Sequence, residues 1–219
     1  MFENISKTQS DALEDILKAR RSVRVFNNIP PDKKDIEQII RAGLIAPFAS
    51  IPAKGKTDFR KIVVIPADSS AMSNIETIIK AASPKHFDEM KEKNAMASSF
   101  MKKLESGDIT HLFGNAPYLI IAAERRGKGF PLTYEPEQSI SLSYCMYNMW
   151  LKATSLKIGF KLVSIFVHLK LGNNGEFCEL LGIQCGEYAI DACAVGYPDD
   201  KYKLPQVKYP DYESNTTWL

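Results

Sequence analysis

The stretch Ile16-Leu17-Lys18-Ala19-Arg20-Arg21-Ser22-Val23-Arg24-Val25-Phe26 changes character partway along. Leu13, Ile16 and Leu17 recur at i, i+3 and i+4, which predicts a helix with one apolar face ending near Arg20. Val23 and Val25 then alternate with other residues, the pattern of a short strand. Three arginines and a serine fall within five residues at the junction. Arg20 and Arg24 offer planar guanidinium forks and Ser22 a hydroxyl, a donor set suited to a phosphate. A helix C-terminus carries partial negative charge, so side-chain charge would have to supply the attraction. The bland alternative is a solvated basic turn.

Composition narrows the function classes. The chain has 219 residues, 45% apolar and 25% charged, with a net charge of +2. That balance gives no electrostatic reason to invoke nucleic acid. No run approaches the length of a membrane span. Met1–Ser6 lacks the basic start and apolar core of a signal peptide, so a cytoplasmic location is expected. Cys145, Cys178, Cys185 and Cys193 form no Cys-x-x-Cys pair, and His86, His111 and His168 are scattered. Reduced thiols and no metal site are the expectation.

The rest of the chain alternates helices and strands. Thr8–Asp11 supplies possible N-caps for the first helix. Pro30-Pro31-Asp32 starts a second, whose Ile36, Ile39, Ile40, Gly43 and Leu44 share one face and which Pro47 stops. Residues 47–59 form a loop rich in breakers. Ile62–Ile65 is a continuous apolar strand, suggesting burial on both faces. Residues 70–106 are helical with a break at Pro84. Ala116–Ala123 is a second strand, and the basic Arg125–Gly129 loop follows. The helix 137–156 is apolar around almost its whole circumference, which implies burial on all sides. A dimer interface accounts for that more easily than a monomer of this size. Phe160–Phe166 is a third strand candidate, Asn174 and Gly182 cap a short helix, and Ala189–Val195 is the last main strand. Residues 199–219 read as an extended arm of one domain spanning 1–219.

Arg20-Arg21-Ser22-x-Arg24-x-Phe26 after a short helix resembles the opening of the nitroreductase family of FMN-dependent oxidoreductases. Ala46-Pro47, the strand after Ala116-Pro117, Leu180-Leu181-Gly182-Ile183 and Gly196-Tyr197-Pro198 follow in that family's order. The resemblance implies an α+β, three-layer α-β-α fold, with a mainly antiparallel central sheet flanked by helices, in an intertwined homodimer. It implies bound FMN, NAD(P)H as a transient electron donor and a small-molecule acceptor such as a nitro compound or quinone, with no nucleic-acid or membrane partner. By the same resemblance Arg20, Arg21 and Ser22 serve the FMN phosphate and ribityl end, and Arg24 the pyrimidine edge. Ser50 matches a flavin-lining loop position, and the backbone of Val163, Ser164 and Ile165 faces N5. Lys208, after Leu204-Pro205, stands where the family often has an arginine on the phosphate. The cofactor is the reactive group, so no catalytic acid or base is assigned.

Two departures stand out. The 47–59 loop lacks the family's asparagine and Gln-Pro-Trp, with Ile51 in the asparagine's approximate place and Lys54 or Lys56 as candidate substitutes. Ile165 replaces a frequent glycine. The main reading is therefore an FMN-dependent reductase. The alternatives are a flavin-binding protein with little reductase activity, and a phosphate-binding or interaction domain without flavin.

Overall fold

Tyr118–Arg125 is the strand around which the layers assemble. Its successive side chains point to opposite faces, and both faces are covered. Leu119, Ile121 and Ala123 enter one core, and Ile120 and Ala122 the other. In the computed structural model, which describes residues 5–48, 58–91, 102, 110–126, 135–204, 206 and 209–218, this strand is β2 of a four-stranded sheet. The others are β1 (Arg60–Pro66), β3 (Gly159–Leu162) and β4 (Tyr188–Gly196). Their order is β1-β2-β4-β3, and every pairing is antiparallel.

Among the described residues the helices include α1 (Lys7–Ala19), α2 (Lys33–Leu44), α3 (Ser70–Lys91), α4 (Thr110–Phe113), α5 (Glu135–Ser155), α6 (Ile165–His168), α7 (Gly175–Leu181) and α8 (Tyr212–Asn215). Helices α3, α4, α6 and α7 cover one face of the sheet through Ile75, Ile79, Phe113, Phe166 and Phe177. Helices α2 and α5 cover the other through Ile36, Ile39, Cys145, Met146 and Met149. The expected α+β sandwich of helix, sheet and helix is therefore the observed one. Among the described residues no helix is long and apolar enough to cross a membrane.

Local signals explain most boundaries. Ser6 caps α1, its hydroxyl accepting from the Gln9 N–H at 3.2 Å while the Gln9 amide oxygen accepts from the Ser6 N–H at 2.8 Å. This is a capping box, and it starts the helix earlier than the Thr8–Asp11 expectation. The Asn174 side chain accepts from Phe177 N–H at 2.9 Å, and Gly182 ends α7 at φ +60°. Glycine takes that conformation without a Cβ penalty.

Four expectations are corrected. Helix α3 runs through Pro84 to Lys91 instead of breaking at the proline. Strand β1 is only partly buried along Ile62–Val64 because it lies at the sheet edge. The third strand stops at Leu162, and Ile165–His168 is a helical turn. Helix α5 is not buried on all sides within one chain: Ile140, Tyr144 and Tyr147 are exposed. Helix α1 buries none of its residues, and Leu13 and Leu17 also face outward.

Candidate functional site

Three arginines close together in sequence diverge in space. Arg20 lays its guanidinium over the Trp150 ring at 4.3 Å from the centroid, with Tyr147 at 6.0 Å. A cation over an aromatic face is held electrostatically. Arg21 turns back, and its Nη1 donates to the carbonyls of Lys18 and Arg20. Basic groups suit a helix C-terminus for this reason, so the Arg21 guanidinium is engaged with α1. Trp150 Nε1 donates to the Arg21 carbonyl at 3.2 Å, locking the turn onto α5.

The chain then runs along the free edge of β3. Ser22 bridges Phe160, and Val23 N–H donates to the Phe160 carbonyl at 3.1 Å. Buried Val23 and Phe26 anchor the segment, leaving Arg24 exposed between them. Gly114 makes this path possible. It sits at φ +65°, its carbonyl accepts from Phe26 N–H at 2.8 Å, and a Cβ there would lie 2.2 Å from the Arg24 oxygen.

Lys161 is a neighbour that the sequence reading missed. Its Nζ donates to the Leu112 carbonyl at 2.7 Å. Burial and then the Arg24 charge push its pKa down to about 8. A lysine between Phe160 and Leu162 in an apolar strand was the available signal. Two cations thus share one edge of the sheet, and an anion bound there would stabilise both.

Farther along the same edge, β3 leaves the sheet. Val163 is buried, and its N–H donates to the Ala192 carbonyl at 2.9 Å. Ser164 is exposed and begins the turn into α6. Ile165 is buried at 6% exposure, and the Ser164 carbonyl accepts from the Val167 and His168 N–H groups at 3.0 Å. The structure therefore brings Ser22, Arg24 and Val163–Ile165 along one sheet edge, and sets Arg20 on α5 beside it. Ser50 and Lys208 lie outside the described residues, as do Lys54 and Lys56.

A second unanticipated feature fixes the chain just before that loop. Arg60 and Glu124 form an ion pair with side-chain exposures of 1% and 5%. Arg60 Nε and Nη2 donate to one Glu124 oxygen at 3.0 and 2.7 Å. Nη1 donates to the carbonyls of Gly43 at 2.7 Å and Ala46 at 3.2 Å, and Nη2 to Ser141 Oγ at 3.1 Å. The Phe48 ring lies 4.4 Å from the guanidinium. One side chain thus joins β1, β2, the end of α2 and the start of α5. Among the described residues no cluster of His, Cys, Asp and Glu could hold a metal.

Comparison with known proteins supplies the family. No curated protein matches the chain. Among solved structures, a nitroreductase with bound FMN from Bacteroides fragilis shares 19% identity at a TM-score of 0.68, covering 94% of this chain and 98% of that one. A BluB-like flavoprotein from Clostridium difficile shares 24% identity at a TM-score of 0.67, with 94% and 98% covered. Iodotyrosine deiodinase bound to FMN and 3-iodo-L-tyrosine shares 19% at 0.59, with 94% and 97% covered. These likenesses establish the fold. The family model that describes the nitroreductase family matches residues 17–197, most of the 219. The chain belongs to the nitroreductase family.

Proposed function

We propose that this protein is an FMN-dependent oxidoreductase that uses NAD(P)H to reduce a small organic acceptor, such as a nitro compound or a quinone. The observation that carries the reading is the sheet edge where Arg24 and Lys161 sit together and the exposed Ser164 turn follows. The residues fit the group. A flavin needs a cationic clamp for its phosphate and donors near its ring. Arg20, Ser22, Arg24 and Lys161 are the clamp, and the backbone at Ser164 is the ring contact. The first N–H groups of a helical turn have no partner within it, so they are available as donors. The bound flavin supplies hydride transfer; this chain's own residues bind and orient it. Solved relatives by fold carry FMN in a nitroreductase and in a deiodinase.

Assembly belongs to the same reading. Exposed Ile140, Tyr144 and Tyr147 on α5 and Leu13 and Leu17 on α1 make an apolar surface that a second copy of the chain covers, forming a homodimer. Four cysteines, all free, suit the reducing cytoplasm.

The test is direct. The purified protein should be yellow, or become so with FMN, and NADH or NADPH should bleach it. Colour without bleaching favours a flavin-binding protein with little reductase activity. A colourless protein that takes up no FMN overturns the proposal.

A further inference from the structure

Strand β3 pairs with β4 only as far as Leu162 opposite Cys193. Beyond that point the chain swings into α6, and among the described residues no strand lies along the β3 side of β4 from Tyr188 to Asp191. A cavity of about 410 Å³ occupies the gap. Leu142 and Ser143 of α5 form one wall, Phe166 and Lys170 another, and Ile190 and Asp191 of β4 the back. The lining is mixed: aromatic and aliphatic surface with a few polar groups, the usual make-up of a small-molecule site.

Asp191 is the carboxylic acid of that lining. Its Oδ1 accepts from the Ala192 N–H at 2.8 Å. The Ala192 carbonyl in turn holds Val163 N–H. The carboxyl group therefore stands beside the Val163–Ile165 turn, where the flavin reading sets the ring. We infer that this cavity is where the acceptor of the proposed reaction binds and that Asp191 is its proton donor. The inference rests on the flavin reading above and adds to it a pocket and a proton-donating residue.

The chemistry balances as follows for a quinone. Conversion to the hydroquinone takes one hydride and one proton. The hydride is what a bound flavin supplies. The proton passes from the Asp191 carboxyl to the acceptor oxygen, leaving a carboxylate that regains a proton from solvent through the cavity mouth. The environment suits the role. Arg126 at the end of β2, Lys170 after α6 and Tyr188 on β4 face the cavity. Cys145 of α5 and Cys193 of β4 lie close enough to feel the Asp191 charge. Burial outweighs the Ala192 hydrogen bond and raises the Asp191 pKa to about 6. An acid poised near the working pH transfers protons most effectively.

The experiment uses the FMN-loaded protein with whichever of NADH and NADPH bleaches it, and two acceptors. Menadione, a quinone, needs protons; ferricyanide takes single electrons and none. Asp191→Asn should lower kcat for menadione about 100-fold and leave ferricyanide reduction within about twofold, the range expected for loss of a general acid. Wild-type kcat for menadione should fall as pH rises through about 6, with no such fall for ferricyanide. This pH profile decides the matter even if the variant folds poorly. In the flavin-free protein, NMR titration of aspartate carboxyl carbons should show a midpoint near about 6 that is missing in Asp191→Asn. Equal menadione rates in the two proteins, or the same pH profile for both acceptors, overturn the assignment of Asp191 alone. Failure to load FMN, or to be bleached, overturns the flavin reading and this inference with it.

Discussion

Removing Glu124 should be among the most damaging single substitutions in this protein. The carboxylate is 5% exposed and its partner Arg60 1% exposed. In Glu124→Ala the guanidinium keeps its bonds to the carbonyls of Gly43 and Ala46 and to Ser141, but its charge is buried without an anion. Breaking a buried pair in this way costs about 3–5 kcal/mol. Domains of this size are stable by only about 5–15 kcal/mol, so the loss is a large share of the total. Arg60→Met should cost a similar amount, because it strands the carboxylate and removes donors from three backbone or hydroxyl partners. The double variant leaves no buried charge. Its remaining cost is the lost Arg60 bonds, chiefly the Ala46 carbonyl left without its donor, at about 1 kcal/mol; the Gly43 carbonyl still accepts from Ala46 N–H, and Ser141 Oγ still reaches the Pro47 carbonyl. The double variant should therefore be more stable than the two single costs predict by about 3 kcal/mol or more. Guanidinium chloride unfolding followed by circular dichroism, at one fixed protein concentration because a dimer's stability depends on it, measures all four proteins. Additive single costs, with a coupling below about 0.5 kcal/mol, would refute the account of this pair.

Other predictions follow from the site and the surface. A charge-assisted hydrogen bond is worth about 1.5–3 kcal/mol, so Arg20→Ala should weaken FMN binding about 10- to 150-fold, and riboflavin binding less; Arg41→Ala on exposed α2 surface is the control, and equal FMN affinities sink the phosphate assignment. Light scattering at micromolar protein should give about twice 24.6 kDa, and Tyr144→Glu should shift the population toward monomer; a stable wild-type monomer counts against the interface. Folding lowers the Lys161 pKa from 10.5 to about 8, so its burial penalty is present in full below pH 8 and relieved as pH rises toward 10.5. Wild type should thus gain stability relative to Lys161→Met across that window, and parallel pH curves would contradict the shift. Gly114→Ala places a Cβ 2.2 Å from the Arg24 carbonyl oxygen at φ +65°, so it should lower the melting temperature and FMN affinity together; wild-type behaviour in both would show that the turn relaxes freely.

Much of this protein was written in contiguous residues. The i, i+3, i+4 pattern of α2, the apolar runs of β2 and β4, and the Asn174 and Gly182 caps of α7 are local, because helix and strand periodicity and capping act over a few residues. The order of Arg20-Arg21-Ser22-x-Arg24, Leu180-Leu181-Gly182-Ile183 and Gly196-Tyr197-Pro198 identified the family for the same reason: each motif is read without knowing what lies across from it. Tertiary structure decided what depends on partners distant in sequence. Arg60 and Glu124 meet because β1 and β2 pair in the register Arg60↔Glu124. Lys161 stands beside Arg24 because the 22–26 segment docks on the edge of β3. Arg21 turns inward because the end of α1 offers it carbonyls at the point where the chain bends. Asp191 lines a cavity only because β3 stops pairing at Leu162 and, among the described residues, no strand continues along that side of β4. Periodicity specifies which face of an element is apolar; strand order and register determine which charges those faces bring together.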